Sequence, residues 1–307
     1  MRKAPANIIV FCIIFLLIIC PCEVRGEEDN IKRQFEYAES LFKEGDFYRA
    51  ITEYKRFIFF FPKEERTEKC YFMTGKSYFK AKKWAEAVDA LKVFIARFPH
   101  SSMLNDALYL KGSAEKNLKK YDDALSTFEK IIKTSSGEYR NKAIYQRALV
   151  LVDMEDWKRA SETFLKIPDE SVLSPAAKTF SSGLVNLDNL PRKSPVTAGA
   201  VAAIIPGAGH LYTERPRDAL VAFLLNGAFI WAAVELFNDE NYAAGGVVTF
   251  FELGWYSGNI YSAVSSAHKY NRRVKEKFLK NLRDRCFLSY YHDNKSSSNC
   301  LILSMKF

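Results

Sequence analysis

Small and aromatic residues return along this chain at a nearly constant interval. Alanines stand at Ala50, Ala87, Ala124 and Ala160, at steps of 37, 37 and 36. Three residues before each lies an aromatic: Phe47, Trp84, Tyr121 and Trp157. Twelve residues before each lies a small residue: Ala38, Gly75, Gly112 and Ala148. Four residues after each come Tyr54, Leu91, Phe128 and Phe164. Apolar positions three and four apart, repeated at this interval, predict stacked helical hairpins. The small residue and the alanine are required where the two helices of a hairpin cross, and the aromatics fill the space between successive hairpins. Polar breaks separate the paired helices at Glu44-Gly45-Asp46, Lys82-Lys83, Lys119-Lys120 and Glu155-Asp156. Pro62 and Pro99 end the second helices of the first two units, because proline cannot continue a helix. Ser135-Ser136-Gly137 and Pro168 make the later turns. Residues 174–187 predict one more helix, a cap for the array.

This arrangement closely resembles the tetratricopeptide repeat over roughly residues 30–170, in four units that are two or three residues longer than that family's usual 34. Longer units with a proline-led turn, as in Arg97-Phe98-Pro99-His100-Ser101, are similar to envelope-assembly and cell-division-coordinating repeat proteins of Gram-negative bacteria. The resemblance implies a periplasmic, protein-binding role. A further row shares one register, three residues before the small residue: Phe35, Phe72, Tyr109 and Tyr145. In repeats of this kind that row tends toward the concave face. It is read either as an aromatic ladder for a protein or peptide ligand or as packing between first helices.

The pattern changes after the proline-containing linker 188–196. Residues 219–237 and 242–266 are two mostly apolar runs separated by the acidic turn Asn238-Asp239-Glu240-Asn241. Each is long enough to cross a hydrocarbon layer of ~30 Å, so residues 197–266 predict a membrane module of two or three helices. Thr197–Tyr212, interrupted by Pro206-Gly207-Ala208-Gly209, is short for a span. The charges favour three crossings. The acidic turn would then be outside, and Arg215, Arg217 and the basic tail inside, as the positive-inside rule asks. Arg192 and Lys193 argue against that count.

The string Pro206, Gly207, Gly209, His210 and Tyr212, followed by Arg215 and Asp218, resembles a Pro-Gly-x-Gly-x-x-Tyr motif that opens a family of small bacterial membrane domains. The resemblance implies two or three short helices and no particular activity. The glycines permit a sharp turn and close helix approach. His210 and Tyr212 are expected near the headgroups. His210 lacks companions for a metal site, so no metal or cofactor is expected. Asn226 and Glu252 fall near the centres of the two apolar runs. They must face inward and pair, either as a polar path or as a hydrogen bond between the helices.

The formal charge of +9 is local. Residues 268–285 hold eight Lys and Arg against Glu276 and Asp284, and residues 1–26 hold Arg2, Lys3 and Arg25 against Glu23. The charge flanks apolar segments, which points to lipid and away from nucleic acid. Arg2 and Lys3 before the apolar stretch Ile8–Cys20, with Val24 and Gly26 after it, predict a signal peptide over residues 1–26. An uncleaved anchor and a lipoprotein signal at Cys20 or Cys22 are the rival readings. Each of the three exports the repeats. Beyond residue 26 the cysteines are Cys70, Cys286 and Cys300, too few and too scattered for a disulfide framework. In the tail 267–307, Leu301, Leu303, Met305 and Phe307 alternate, and with Cys286–Tyr291 they predict a short C-terminal β-hairpin.

No phosphate-cradling Gly-x-x-x-x-Gly-Lys, Gly-x-Ser-x-Gly or Cys-x-x-Cys occurs, and no catalytic residues are assigned. The expectation is a non-enzymatic, all-α protein: a tetratricopeptide-type solenoid over 27–187 joined to a transmembrane hairpin. It serves as a periplasmic interaction scaffold held at the bacterial inner membrane. The alternative is a small transport or channel component recruited by its repeats.

Overall fold

The computed structural model describes residues 28–294, with side chains described as far as Cys286. The predicted signal segment 1–26 and the strand at 300–307 lie outside the described residues. Within them the chain is helical and contains no strand. Helix α1 covers 28–44. It is followed by α2 (Phe47–Phe60), α3 (Arg66–Lys80), α4 (Trp84–Arg97), α5 (Leu104–Asn117), α6 (Tyr121–Thr134), α7 (Gly137–Asp153), α8 (Trp157–Phe164) and α9 (Ser174–Val185). After a 3-10 turn at Asn186–Asn189 come α10 (Pro195–Ile204), α11 (Ala208–Tyr212), α12 (Pro216–Asn238) and α13 (Tyr242–Asn294). The chain forms two compact units that divide between Ala177 and Lys178, inside α9.

The first unit is a solenoid of hairpins in which helices pack on their sequence neighbours and the first helices α3, α5 and α7 also pack on one another. The crossings lie where the repeat places them. Ala50, Ala87, Ala124 and Ala160 are fully buried. A Cβ on Gly75 would stand 2.7 Å from the Leu91 side chain, and one on Gly112 would stand 2.9 Å from the Phe128 ring. Trp84 meets Phe79 of its own hairpin edge-on at 5.1 Å. The cluster to which it belongs also includes Ala114 and Leu118 of the next hairpin.

The turns inside the hairpins share one geometry that the repeat pattern does not display. Gly45, Lys82, Lys119 and Glu155 all adopt a left-handed backbone, with φ of 85°, 59°, 60° and 62°. At each, the next amide reaches back to close the preceding helix: Asp46 to Leu41, Lys83 to Tyr78, Lys120 to Glu115 and Asp156 to Leu151. This is the Schellman closure, which satisfies the last carbonyls of a helix. The following helix then opens with Ala50, Ala87, Ala124 and Ala160 each donating to the residue four before it. Asp46 and Asp156 also cap their helices by accepting from the amides of Arg49 and Arg159.

In the second unit, α12 and α13 form the antiparallel hairpin expected from the two apolar runs. Phe237 lies 3.1 Å from where a Cβ on Gly245 would stand, beside the turn. Among the described residues α12 is the one helix long and apolar enough to cross a membrane by length and composition. It presents Leu220, Val221, Phe223, Leu224 and Trp231 at its surface. The start of α13 adds Phe250, Phe251 and Leu253.

Two expectations meet a different structure. Thr197–Tyr212 is not one continuous helix. Helix α10 has 10 residues, about 15 Å, half the thickness of a hydrocarbon layer. The chain then turns back through Gly207. The α10 end at Ala203 lies beside Tyr256, while Lys193 before it and Arg215 after α11 both lie beside residues 266–271 of α13. The segment therefore leaves and returns at the same end of the α12–α13 hairpin. Nor is Cys286–Tyr291 a strand: α13 continues as helix to Asn294. Leu282 and Cys286, one turn apart, are both buried. Leu282 packs on Gly183 of α9, so the helical period outlasts the apparent boundary.

Melting of the full-length protein checks the crossings and the turns. Ala87→Leu crowds a closed crossing and should lower stability by ~1–3 kcal/mol. Lys119→Gly should raise it by about 1 kcal/mol, since a β-carbon costs ~1–2 kcal/mol in the left-handed region and glycine returns part of that as lost chain entropy.

Candidate functional site

The first-helix row sits against the second helix of its own hairpin. Phe35 meets Phe57 at 5.8 Å, Phe72 meets Phe94 at 5.6 Å, Tyr109 meets Phe128 at 6.0 Å and Tyr145 meets Phe164 at 5.2 Å between ring centroids. Phe72 is buried, and Phe35, Tyr109 and Tyr145 are half-buried. The row is therefore tied into the core while three of its rings keep an accessible edge. Polar groups accompany it. Lys69 Nζ lies 5.0 Å from the Phe35 ring centroid, and Lys76 Nζ lies 5.8 Å from that of Phe72. Gln146 donates to the Tyr109 hydroxyl at 2.8 Å.

Charged groups penetrate the same hairpins, a feature the repeat pattern did not reveal. Tyr54 donates to Glu39 Oε1 at 2.8 Å, and Lys69 reaches Glu39 Oε2 at 3.2 Å. Cys70 lies fully buried nearby. Burial, then the Glu39 charge, pushes the Cys70 thiol up to about 12. Burial and the hydrogen bond to Glu39 also push the Tyr54 phenol upward. In the third hairpin Glu115, 2% exposed, accepts from Lys111 and from Thr127. These are satisfied interior networks. Among the described residues no three His, Cys, Asp or Glu side chains gather as a metal site.

The Pro-Gly motif builds the reversing turn. Gly207 has φ of 87°, and a Cβ there would fall 2.2 Å from the Ala219 carbonyl. A Cβ on Gly209 would fall 2.3 Å from the Ala198 carbonyl and 2.6 Å from Ala263 Cβ. These contacts, with Pro206 leading the turn, press α11 between α10, α12 and α13. His210 is drawn inside, 3% exposed. Tyr212 stands at the mouth and accepts from the Ser194 amide at 3.0 Å.

That mouth is clamped and basic. Asn271 of α13 accepts from the Lys193 amide at 2.8 Å and donates to the Lys193 carbonyl at 2.9 Å. Lys193 Nζ lies 5.0 Å from the Tyr212 ring centroid and 5.4 Å from that of Tyr270. Arg215 donates to Ser266 Oγ at 2.7 Å and pairs with Asp218 at 2.6 Å. Arg192, Lys193, Arg215, Arg217 and the start of the basic stretch of α13 thus share one end of the module, whereas Asp239 and Glu240 occupy the turn at the other. Asn226 is fully buried and Glu252 is 7% exposed, both inside the hairpin.

The comparisons with known proteins bear on the repeats. The family described as YfiO, outer membrane lipoprotein, matches residues 27–136, the first part of the solenoid. Among solved structures the chain is similar to a tetratricopeptide repeat protein from Parabacteroides merdae, at 17% identity and a TM-score of 0.43, covering 82% of this chain and 98% of that one. No curated protein matches.

The Glu39 network generates a pH prediction. Tyr54 and Cys70 hold their protons more tightly in the folded chain than in the unfolded one. Their stabilisation is therefore complete below the ordinary thiol value of 9.0 and is lost as pH rises toward about 12. Melting temperature should fall as pH rises from about 9 toward about 12, and less steeply in Cys70→Ala/Tyr54→Phe. Thiol reagents at pH 8 should leave Cys70 unlabelled until the protein unfolds.

Proposed function

We propose that this chain is a protein-binding scaffold of the bacterial envelope. Its repeats recruit a protein or peptide, and its C-terminal module holds them at the inner membrane. The observation that carries this reading is the pairing, in one chain, of a helical-hairpin solenoid with a hairpin whose outer surface is apolar. The first is a surface for partners. The second leaves large apolar side chains of α12 and α13 exposed, which is costly in water and favourable in lipid. The match of the repeats to an outer-membrane lipoprotein family supports an envelope location.

The re-entrant geometry sharpens the membrane arrangement. With α10 and α11 entering and leaving on one side, α12 and the first half of α13 make two crossings. The chain leaving the repeats at Leu187 and the basic stretch beyond His268 then lie on the same side. Two charge rules pull apart here. The N-terminal segment exports the repeats, while the basic mouth by itself favours the cytoplasm. The N-terminal segment is translocated first, and we place the repeats, and with them the basic stretch, in the periplasm.

Topology reporters inserted after Leu187 and after Arg285 test this. Both should report the periplasm. A split between the two positions would overturn the re-entrant segment, and two cytoplasmic signals would overturn export. For the partner surface, a photo-crosslinking residue at Tyr109 should capture a discrete protein in intact envelopes. One at Lys92, exposed on the second-helix side, should capture much less.

A further inference from the structure

The hairpin of the membrane module holds a buried carboxylate without a donor. Its register is anchored at both ends, by Phe237 on Gly245 at the turn and by Arg215 on Ser266 at the mouth. Between these anchors Asn226 falls opposite residues close to 255, which sets it within about one helical turn of Glu252 along the axis. The Asn226 amide nitrogen donates to the Ala222 carbonyl. Its Oδ1 has no partner, and neither has either carboxylate oxygen of Glu252. Asn259 Nδ2, a donor that also lacks a partner, lies two turns from Glu252 and about one turn from Asn226 on its other side, so it can reach Asn226 Oδ1 but not the Glu252 carboxylate.

Nothing in the surrounding helices offsets a charge on Glu252. Helix α10 contains no ionisable side chain. Helix α11 offers His210 and Tyr212, which lie toward the mouth. Helix α12 carries Arg217 and Asp218 in its first turn, just after Arg215, and Glu235 in its last. Around Asn226 it reads Leu-Leu-Asn-Gly-Ala-Phe-Ile. On α13 the flanking titratable groups are Tyr242, Tyr256 and Tyr261 before the basic stretch begins at His268. Tyr256 already donates to the Ala203 carbonyl. An orphan acceptor costs ~1–3 kcal/mol, and an uncompensated carboxylate in hydrocarbon costs more. The missing positive charge must come from outside the fold.

We propose that Glu252 and Asn226 form a binding site for a small monovalent cation, a proton or sodium, held between the Glu252 carboxylate and Asn226 Oδ1. Taken up from water, a proton converts the carboxylate to a carboxylic acid whose O–H donates to Asn226 Oδ1. Its release to water restores the carboxylate. Sodium would be ligated by the same oxygens. The inference rests on the hairpin lying in the membrane, and it gives the module a ligand beyond its tethering role.

A hydrophobic carbodiimide, which adds only to protonated carboxyls, tests the site on the full-length protein in lipid nanodiscs. In choline chloride at pH 7, Glu252 should be labelled and E252Q should not. Labelling should fall about tenfold per pH unit once the proton is lost. Slower labelling in sodium chloride would show sodium sharing the site, and equal rates would show a proton alone; both support it. A Glu252 left unlabelled in choline chloride at pH 7 is ionised without a cation and overturns the proposal. The pairing is tested by melting. Gln brings its own N–H, so E252Q should melt close to the unmodified protein. E252L and N226L should each melt lower, and the double variant less than the sum of the two; simple additivity would overturn the pairing. Either failure, with both topology reporters still on one side, would leave the membrane reading standing.

Discussion

Close approach of helix axes at small residues is the constraint on which the rest of this structure depends. Helices normally pack 8–10 Å apart, set by the side chains at the contact. Here glycine and alanine occupy the contact, and the partner helix sends a large side chain into the space. Gly75 receives Leu91 and Gly112 receives Phe128. The second unit repeats the device. Gly199 receives Val264, Gly183 receives Leu282, and Gly209 faces the Ala198 carbonyl directly. In the solenoid the burial of the inserted side chains drives the approach. In the second unit closeness itself adds dispersion contacts between the helices.

The same turn chemistry also serves both units. The left-handed residue that ends a helix in each repeat hairpin recurs at Glu214 and Glu240, with φ of 63° and 58°. There Arg215 donates back to His210 and Asn241 to Leu236. Of these six turns, only that at Gly45 uses glycine. Lysine and glutamate tolerate the conformation because the closure bonds repay it and because their side chains remain in solvent. A tight, polar, self-satisfied turn suits a solenoid, where the next helix must reverse at once. It suits the α12–α13 hairpin equally, where the chain reverses just as tightly.

Polar groups divide the two units. Inside the repeats they are paired: Glu39 with Tyr54 and Lys69, and Glu115 with Lys111 and Thr127. Such networks fix which hairpin faces fit together and leave the exposed rims to carry recognition. Inside the apolar hairpin, Asn226 and Glu252 keep unmatched acceptors. A scaffold needs only the first kind of interior. The second kind is where a membrane module can do more than hold its position.

The sequence alone determined the repeat, its register and its helical content, because crossings and turns recur at fixed spacing and each needs a particular residue size. It also determined that Asn226 and Glu252 would be buried, since apolar residues surround them on both sides. The tertiary structure decided what depends on contacts between distant segments. That Thr197–Tyr212 turns back on itself rests on Gly207 packing against Ala219 and on Asn271 clamping Lys193, 78 residues away. Hydropathy records how apolar a segment is and carries no trace of its direction after a turn. The row Phe35, Phe72, Tyr109 and Tyr145 was legible as a register, but its engagement with rings of the partner helix was not. A side chain's period assigns it to a face, and only the neighbouring helix determines how much of that face stays open. The helical end of α13 was missed for the same reason: Leu282 packs on Gly183 of α9, nearly a hundred residues earlier in the chain, and no local pattern reports that.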